Sequence, residues 1–242
     1  MAEIDFITHY DSRSPVAEAY RAIRTNLQFS GAGKTLKTIV FTSAIPNEGK
    51  STTVANLAIT IGQDDKKILL IDCDMHKPVI HDCDMHKPVI HRRFSLLNRG
   101  LSNCFAEDLP LKEVIQADVF PNLDIVTSGP IPPNPAELLG SKKMKALLQE
   151  AAEMYDYVFL DMPPVLAVTD AVLMSSQTDG TILVLGSGDI SPDEGKQAKE
   201  LLEKVHANIL GVILNKVPQH HKSGYYYYYY YDENHNKKRK RR

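Results

Sequence analysis

Lys50 and Ser51 close an eight-residue stretch, Ala44-Ile-Pro-Asn-Glu-Gly-Lys-Ser51, set between an apolar run and an amphipathic one. A loop of this kind wraps backbone N–H groups around an anion and adds the positive end of the helix that follows. The Lys50 ammonium is placed to reach the β- and γ-phosphates of a nucleotide, and the Ser51 hydroxyl to ligate Mg²⁺. Ala44, Pro46, Asn47, Glu48, Gly49 and Thr52 complete the loop's candidate contacts with ATP, and Asn215, after the last apolar run, joins them. The usual pattern opens on Gly, where Ala44 stands here. A second stretch, Ser30-Gly-Ala-Gly-Lys-Thr35, imitates the end of such a loop. No strand precedes it and no helix follows, so it reads as a linker.

Three carboxylates stand at strand ends. Asp72 and Asp74 follow the run Lys67–Ile71, and Asp161 ends Tyr157–Leu160 before Met162-Pro-Pro164. Beside a phosphate loop, such groups hold Mg²⁺ directly or through water, and one can take the proton of an attacking hydroxyl. Ser51, Asp74 and Asp161 are the candidate metal ligands. Lys50, Asp72, Asp74 and Asp161 are the candidate catalytic residues, and the sequence leaves open which aspartate is the base. The decapeptide Asp-Cys-Asp-Met-His-Lys-Pro-Val-Ile-His fills 72–81 and again 82–91. Copy one continues a buried strand, whereas copy two is preceded by Pro78, which argues against a central strand. Chemistry is therefore assigned to copy one, with copy two lengthening the loop; the rival register puts copy two in the site.

The elements that must position these groups are legible from periodicity. Strands are expected at 38–42, 67–71, 123–127, 157–161, 181–185 and 209–214, separated by helical patterns at 50–62, 136–154, 169–177 and 192–206. Ser14 offers an N-cap and Pro15 a first helical residue for a helix to about Phe29. That helix is expected to bury Val16, Tyr20, Ile23 and Leu27 and to show Glu18, Arg21 and Arg24. The fold class is α/β, a mostly parallel sheet with helices on both faces, like that of P-loop NTPases. Ligands of such sheets sit beyond the carboxyl ends of the strands. Residues 1–13 read as irregular, 14–218 as one domain, and 219–242 as a flexible tail.

A chain of 242 residues with 43% apolar content suffices for one buried α/β domain. No apolar run is long enough to span a bilayer and no signal-peptide pattern opens the chain, so a cytoplasmic location is expected. Cys73, Cys83 and Cys104 form neither a disulfide framework nor a zinc spacing. The net charge is −2, but Lys237 to Arg242 are all basic, and without those six charges the body carries −8. Nothing in that acidic body suggests a nucleic-acid partner.

With these motifs the chain resembles the bacterial protein-tyrosine kinases that control capsule and exopolysaccharide synthesis. The resemblance covers nearly all of residues 14–231. It rests on the phosphate loop, Ile68-Leu-Leu-Ile-Asp-Cys-Asp-Met-His-Lys-Pro78, Phe159-Leu-Asp-Met-Pro-Pro164 and Ser128-Gly-Pro-Ile-Pro-Pro-Asn-Pro-Ala-Glu-Leu138. The helix motif Glu18-x-x-Arg21-x-x-Arg24 and the tyrosine cluster make it specific. It departs from the family at His76, where Arg is usual, at Asn47, often Gly, and in the duplication, which has no place in the family pattern. The resemblance implies the short cytoplasmic form, recruited to the inner face of the membrane by a membrane-embedded activator of polysaccharide copolymerase type. It also implies a homo-oligomeric ring joined through Glu18, Arg21 and Arg24, with ATP and Mg²⁺ as cofactors and protein tyrosines as substrates. Tyr225, Tyr226, Tyr227, Tyr228, Tyr229, Tyr230 and Tyr231 are the candidate phosphoacceptors, reached by a neighbouring subunit's site.

Two other readings compete. Partition- or Min-type ATPases share the fold but carry a signature lysine where Ile45 stands. A scaffold disabled by the repeat would act through its tail alone.

Overall fold

The computed structural model describes residues 6–31, 33, 35–76 and 90–218. Copy two up to residue 89 and the tyrosine-rich and basic tail lie outside these. Against the expectation of an irregular start, Phe6 leads into one helical turn, α1 (Ile7–Tyr10), anchored where Thr8 Oγ1 donates to Asn56 Oδ1 at 3.1 Å. Helix α2 (Pro15–Phe29) starts where predicted, with Ala17 N–H donating to the Ser14 hydroxyl at 3.1 Å and Pro15 in the first turn.

The buried stripe of α2 departs from the expected one. Ala17, Tyr20 and Leu27 are buried and Ile23 half-buried, while Val16 is 39% exposed. Arg24 completes the inner stripe instead of an outer charged one. Its Nη1 donates to the Thr60 carbonyl at 3.2 Å and lies 3.9 Å from Asp64. Those acceptors at the end of the next helix turn the 17–20–24–27 face inward.

Strand β1 (Thr38–Ser43) runs through the phosphate loop into α3 (Lys50–Gly62), and β2 (Ile68–Asp72) follows. Short helices α4 (Ile90–Arg93) and α5 (Leu101–Ala106) precede β3 (Gln116–Phe120) and β4 (Leu123–Val126). The single helix expected over 136–154 is two, α6 (Pro135–Leu139) and α7 (Lys142–Met154). The chain breaks at Gly140, and the Ser141 hydroxyl recaps the second helix by accepting from Met144 N–H at 3.1 Å. Then come β5 (Tyr157–Asp161), α8 (Asp170–Ser175), β6 (Gly180–Gly186), α9 (Pro192–Lys204) and β7 (Ile209–Asn215).

The strands form one sheet in the order β3-β4-β2-β5-β1-β6-β7, parallel throughout except for β3. The unforeseen β3 is an antiparallel edge strand whose Gln116, Ala117 and Asp118 lack the apolar run of an inner strand. Both faces are covered, as near-continuous apolar strands require. Val40, Leu69 and Leu160 pack toward α7, α8 and α9, while Ile39, Phe41 and Phe159 pack toward α3 and α2. Helix α3 has no outward face, since every residue from Thr53 to Gly62 is buried. The described residues contain no helix long and apolar enough to cross a membrane.

Candidate active site

The phosphate loop is built by two left-handed residues. Asn47 has φ 69° and Gly49 φ 85°, and Gly49 N-caps α3. Asn tolerates this region as few side chains do. At Gly49 a Cβ would meet the Asn215 amide, so only glycine fits there. Lys50 and Ser51 then open the helix, with Lys50 Nζ 3.4 Å from Ser51 Oγ.

Parallel pairing brings the carboxylates to one edge. Asp72 and Asp161 are register partners on β2 and β5, and Phe41 of β1 lies beside Asp161. Lys50, 7% exposed, crosses to a buried ion pair with Asp161 Oδ1. Asp74 N–H donates to Asp72 Oδ1 at 3.1 Å. Burial first, then the charges of Asp161 and Asp74, push the Asp72 carboxyl up to about 8. Burial likewise raises Asp74, against the pull of Lys50, and lifts the Cys73 thiol well above its ordinary value.

ATP and Mg²⁺ fit these residues. Asp72 Oδ2 is buried and makes no hydrogen bond among the described residues. One lysine faces three crowded carboxyl groups, two of them held toward the protonated form by burial and by one another, and a cation would let them ionise. No group of three His, Cys, Asp or Glu among the described residues could hold a metal alone. A magnesium ion needs no such cage, because it keeps waters and takes phosphate oxygens beside one or two carboxylates.

Several predicted contacts have other partners. The Glu48 carboxylate, 1% exposed, accepts from Ile45 N–H at 2.8 Å and from Gly186 N–H at 2.9 Å, stapling the loop to β6. Asn215 Nδ2 donates to the Glu48 carbonyl at 2.9 Å. Ala44 is buried under the loop, its carbonyl accepting from Leu166 N–H at 3.2 Å. Asp170 was not foreseen: it is buried at the start of α8 and meets His76 Nε2 at 2.7 Å, fixing the chain just beyond Asp74. Nothing in the sequence marks that pair except a histidine where the resembled family has a cation. Copy one supplies the carboxylates seen here, while Asp82, Asp84 and Tyr225–Tyr231 lie outside the described residues. Glu18 pairs with Arg21 at 2.5 Å within α2, and Arg21 also donates to the Ser12 carbonyl.

A family described as "AAA domain" matches residues 36–210. The chain is 43% identical over 217 residues to tyrosine-protein kinase YwqD of Bacillus subtilis, spanning 88% of this chain and 87% of that one. Its fold superposes on the chimerical protein CapA2B2 with a TM-score of 0.80 at 38% identity, covering 89% of this chain and 91% of that one. The kinase domain of Escherichia coli tyrosine kinase ETK gives 0.81 at 33% identity, covering 91% and 83%.

Proposed function

We propose, because this chain belongs to the bacterial tyrosine-protein kinase family, that it is an ATP:protein-tyrosine phosphotransferase regulating capsular or extracellular polysaccharide synthesis. The observation that carries the reading is Lys50 brought onto Asp161 with Asp72 in register beside it. Bound ATP supplies the transferable phosphoryl group and Mg²⁺ neutralises its charge. The loop N–H groups and Lys50 bind and orient the phosphates, with Ser51, Asp74 and Asp161 as the metal's protein ligands. Asp72 Oδ2, unpaired among the described residues, is the atom suited to receive the tyrosine hydroxyl proton once the charge of a bound Mg²⁺ favours its ionised form. Residues 14–218 form the kinase domain, and the tail from 219 offers Tyr225–Tyr231 to a neighbouring subunit. Glu18 and Arg21 lie on the self-association face. A membrane-embedded activator of polysaccharide copolymerase type recruits the chain to the inner membrane face, as the resemblance implies. The rival partition- or Min-type reading lacks its signature lysine, with Ile45 in that place.

Incubation with γ-labelled ATP and Mg²⁺ followed by phosphotyrosine detection tests the proposal. Lys50→Met should reduce labelling at least ~100-fold while the protein stays folded, the scale of a lost phosphate-binding charge. A folded Lys50→Met protein that labels like the parent would overturn it.

A further inference from the structure

The crest of the phosphate loop is held from outside by side chains that the reaction does not use. Lys216 Nζ donates to the Asn47 carbonyl at 2.6 Å and to Asp189 Oδ2 at 2.7 Å. Asn215 Nδ2 holds the next carbonyl, that of Glu48, and the Asn215 carbonyl in turn accepts from Ser187 N–H at 2.8 Å. Every peptide here is trans, so each N–H points opposite the carbonyl of its own peptide unit. Carbonyls held by Lys216 and Asn215 therefore turn the N–H groups of Glu48 and Gly49 away from these two side chains. Lys216 itself takes a left-handed backbone, φ 56°, facing the left-handed Asn47. For a lysine this conformation is costly, and it is kept where the side chain reaches the loop.

We infer that Lys216, anchored by Asp189, is a positioning residue that sets the loop N–H groups for nucleotide phosphates. The inference rests on reading the loop as the ATP site. It also gives Asn215 a task beside any contact with the nucleotide, since its amide holds the loop. The clamp stands where the chain leaves β7, three residues before the tail, so the loop's shape is tied to the point from which the tyrosines depart. Lys216 and Asp189 are both partly exposed, so solvent moderates the effect without removing it.

The experiment measures equilibrium binding of a fluorescent ATP analogue with Mg²⁺ by the full chain, alongside steady-state phosphotransfer and thermal unfolding. Lys216→Met should weaken binding about fivefold and raise KM for ATP more than it lowers kcat. Asp189→Asn should weaken it about twofold, and Lys216→Arg should restore most of the affinity, since it keeps a charged donor. Equal affinity in the parent and Lys216→Met would overturn the clamp and leave the kinase reading standing. The predicted loss of affinity in a chain whose parent never phosphorylates tyrosine would sink the kinase reading and leave the clamp. Should Lys216→Met unfold, Asp189→Asn decides: unchanged affinity there rejects the inference.

Discussion

At the scale of single residues, Asp72 gives the plainest handle. Its proton affinity is raised in the fold, from an ordinary 3.8 to about 8, chiefly by burial. The folded chain thus holds a proton that the unfolded chain releases above about pH 4. Stability must fall as pH rises between those values, and the cost is complete above pH 8. Without nucleotide or metal, Asp72→Asn should flatten that slope and gain about 3 kcal/mol at pH 8 relative to pH 5. Thermal unfolding of both proteins across this range checks it, and parallel pH profiles would refute it. The same variant should lose phosphotransfer, so stability and activity move in opposite directions. Burial also holds Cys73 and Cys104 as thiols, Cys104 pushed up to about 11. Neither should react with iodoacetamide at pH 7.5 in the native chain, so peptide mapping should find any rapid alkylation at Cys83 alone.

Among the elements, strands whose apolar runs end in aspartate were legible because burial on both faces forces an unbroken apolar sequence, and its end marks the sheet edge. Asp72 and Asp161 were found that way, and their register partnership follows. The staples of the phosphate loop were not legible, because Glu48 meets Gly186 and Asn47 meets Lys216 across most of the domain. No local pattern encodes a contact between residues so far apart in sequence. The stripe of α2 was misread by one position, since a hydropathy pattern ranks Val16 above the small Ala17 and cannot foresee the carbonyl awaiting Arg24. That error matters for testing self-association. Arg24→Ala strips the Thr60 carbonyl of its partner and should lower stability by about 1 kcal/mol, whereas Glu18 and Arg21 lie outside the seam. The double change Glu18→Ala with Arg21→Ala should therefore dissociate an oligomer without lowering the melting temperature by more than about 2 °C. Light scattering at matched concentration checks it, and an unchanged mass would reject the interface.

At the scale of the whole molecule, the duplicated decapeptide divides at the site, for copy one delivers Asp72 and Asp74 and the last residues of copy two, Ile90 and His91, begin α4. Removing residues 82–91 should leave phosphotransfer equal or higher, and Asp82→Ala should leave it unchanged. An inactive Asp82→Ala protein would give the site to copy two. The tail's seven tyrosines should be labelled between chains: Lys50→Met protein mixed with an active chain lacking 219–242 should become phosphorylated. Four phosphates would add roughly −6 to −8 charges to an already acidic body, favouring dissociation that added salt suppresses. Helix α3, buried on every side between the sheet and α1 and α2, sets how all of this can move. An element with no wet face cannot swing as a lever or fray from its flank, so the phosphate loop rides on a fixed beam. Its amides should be among the last to trade their hydrogens for deuterium, near the limit of global opening. Nucleotide would then come and go without moving this helix, and α3 keeps the slowest clock in the protein.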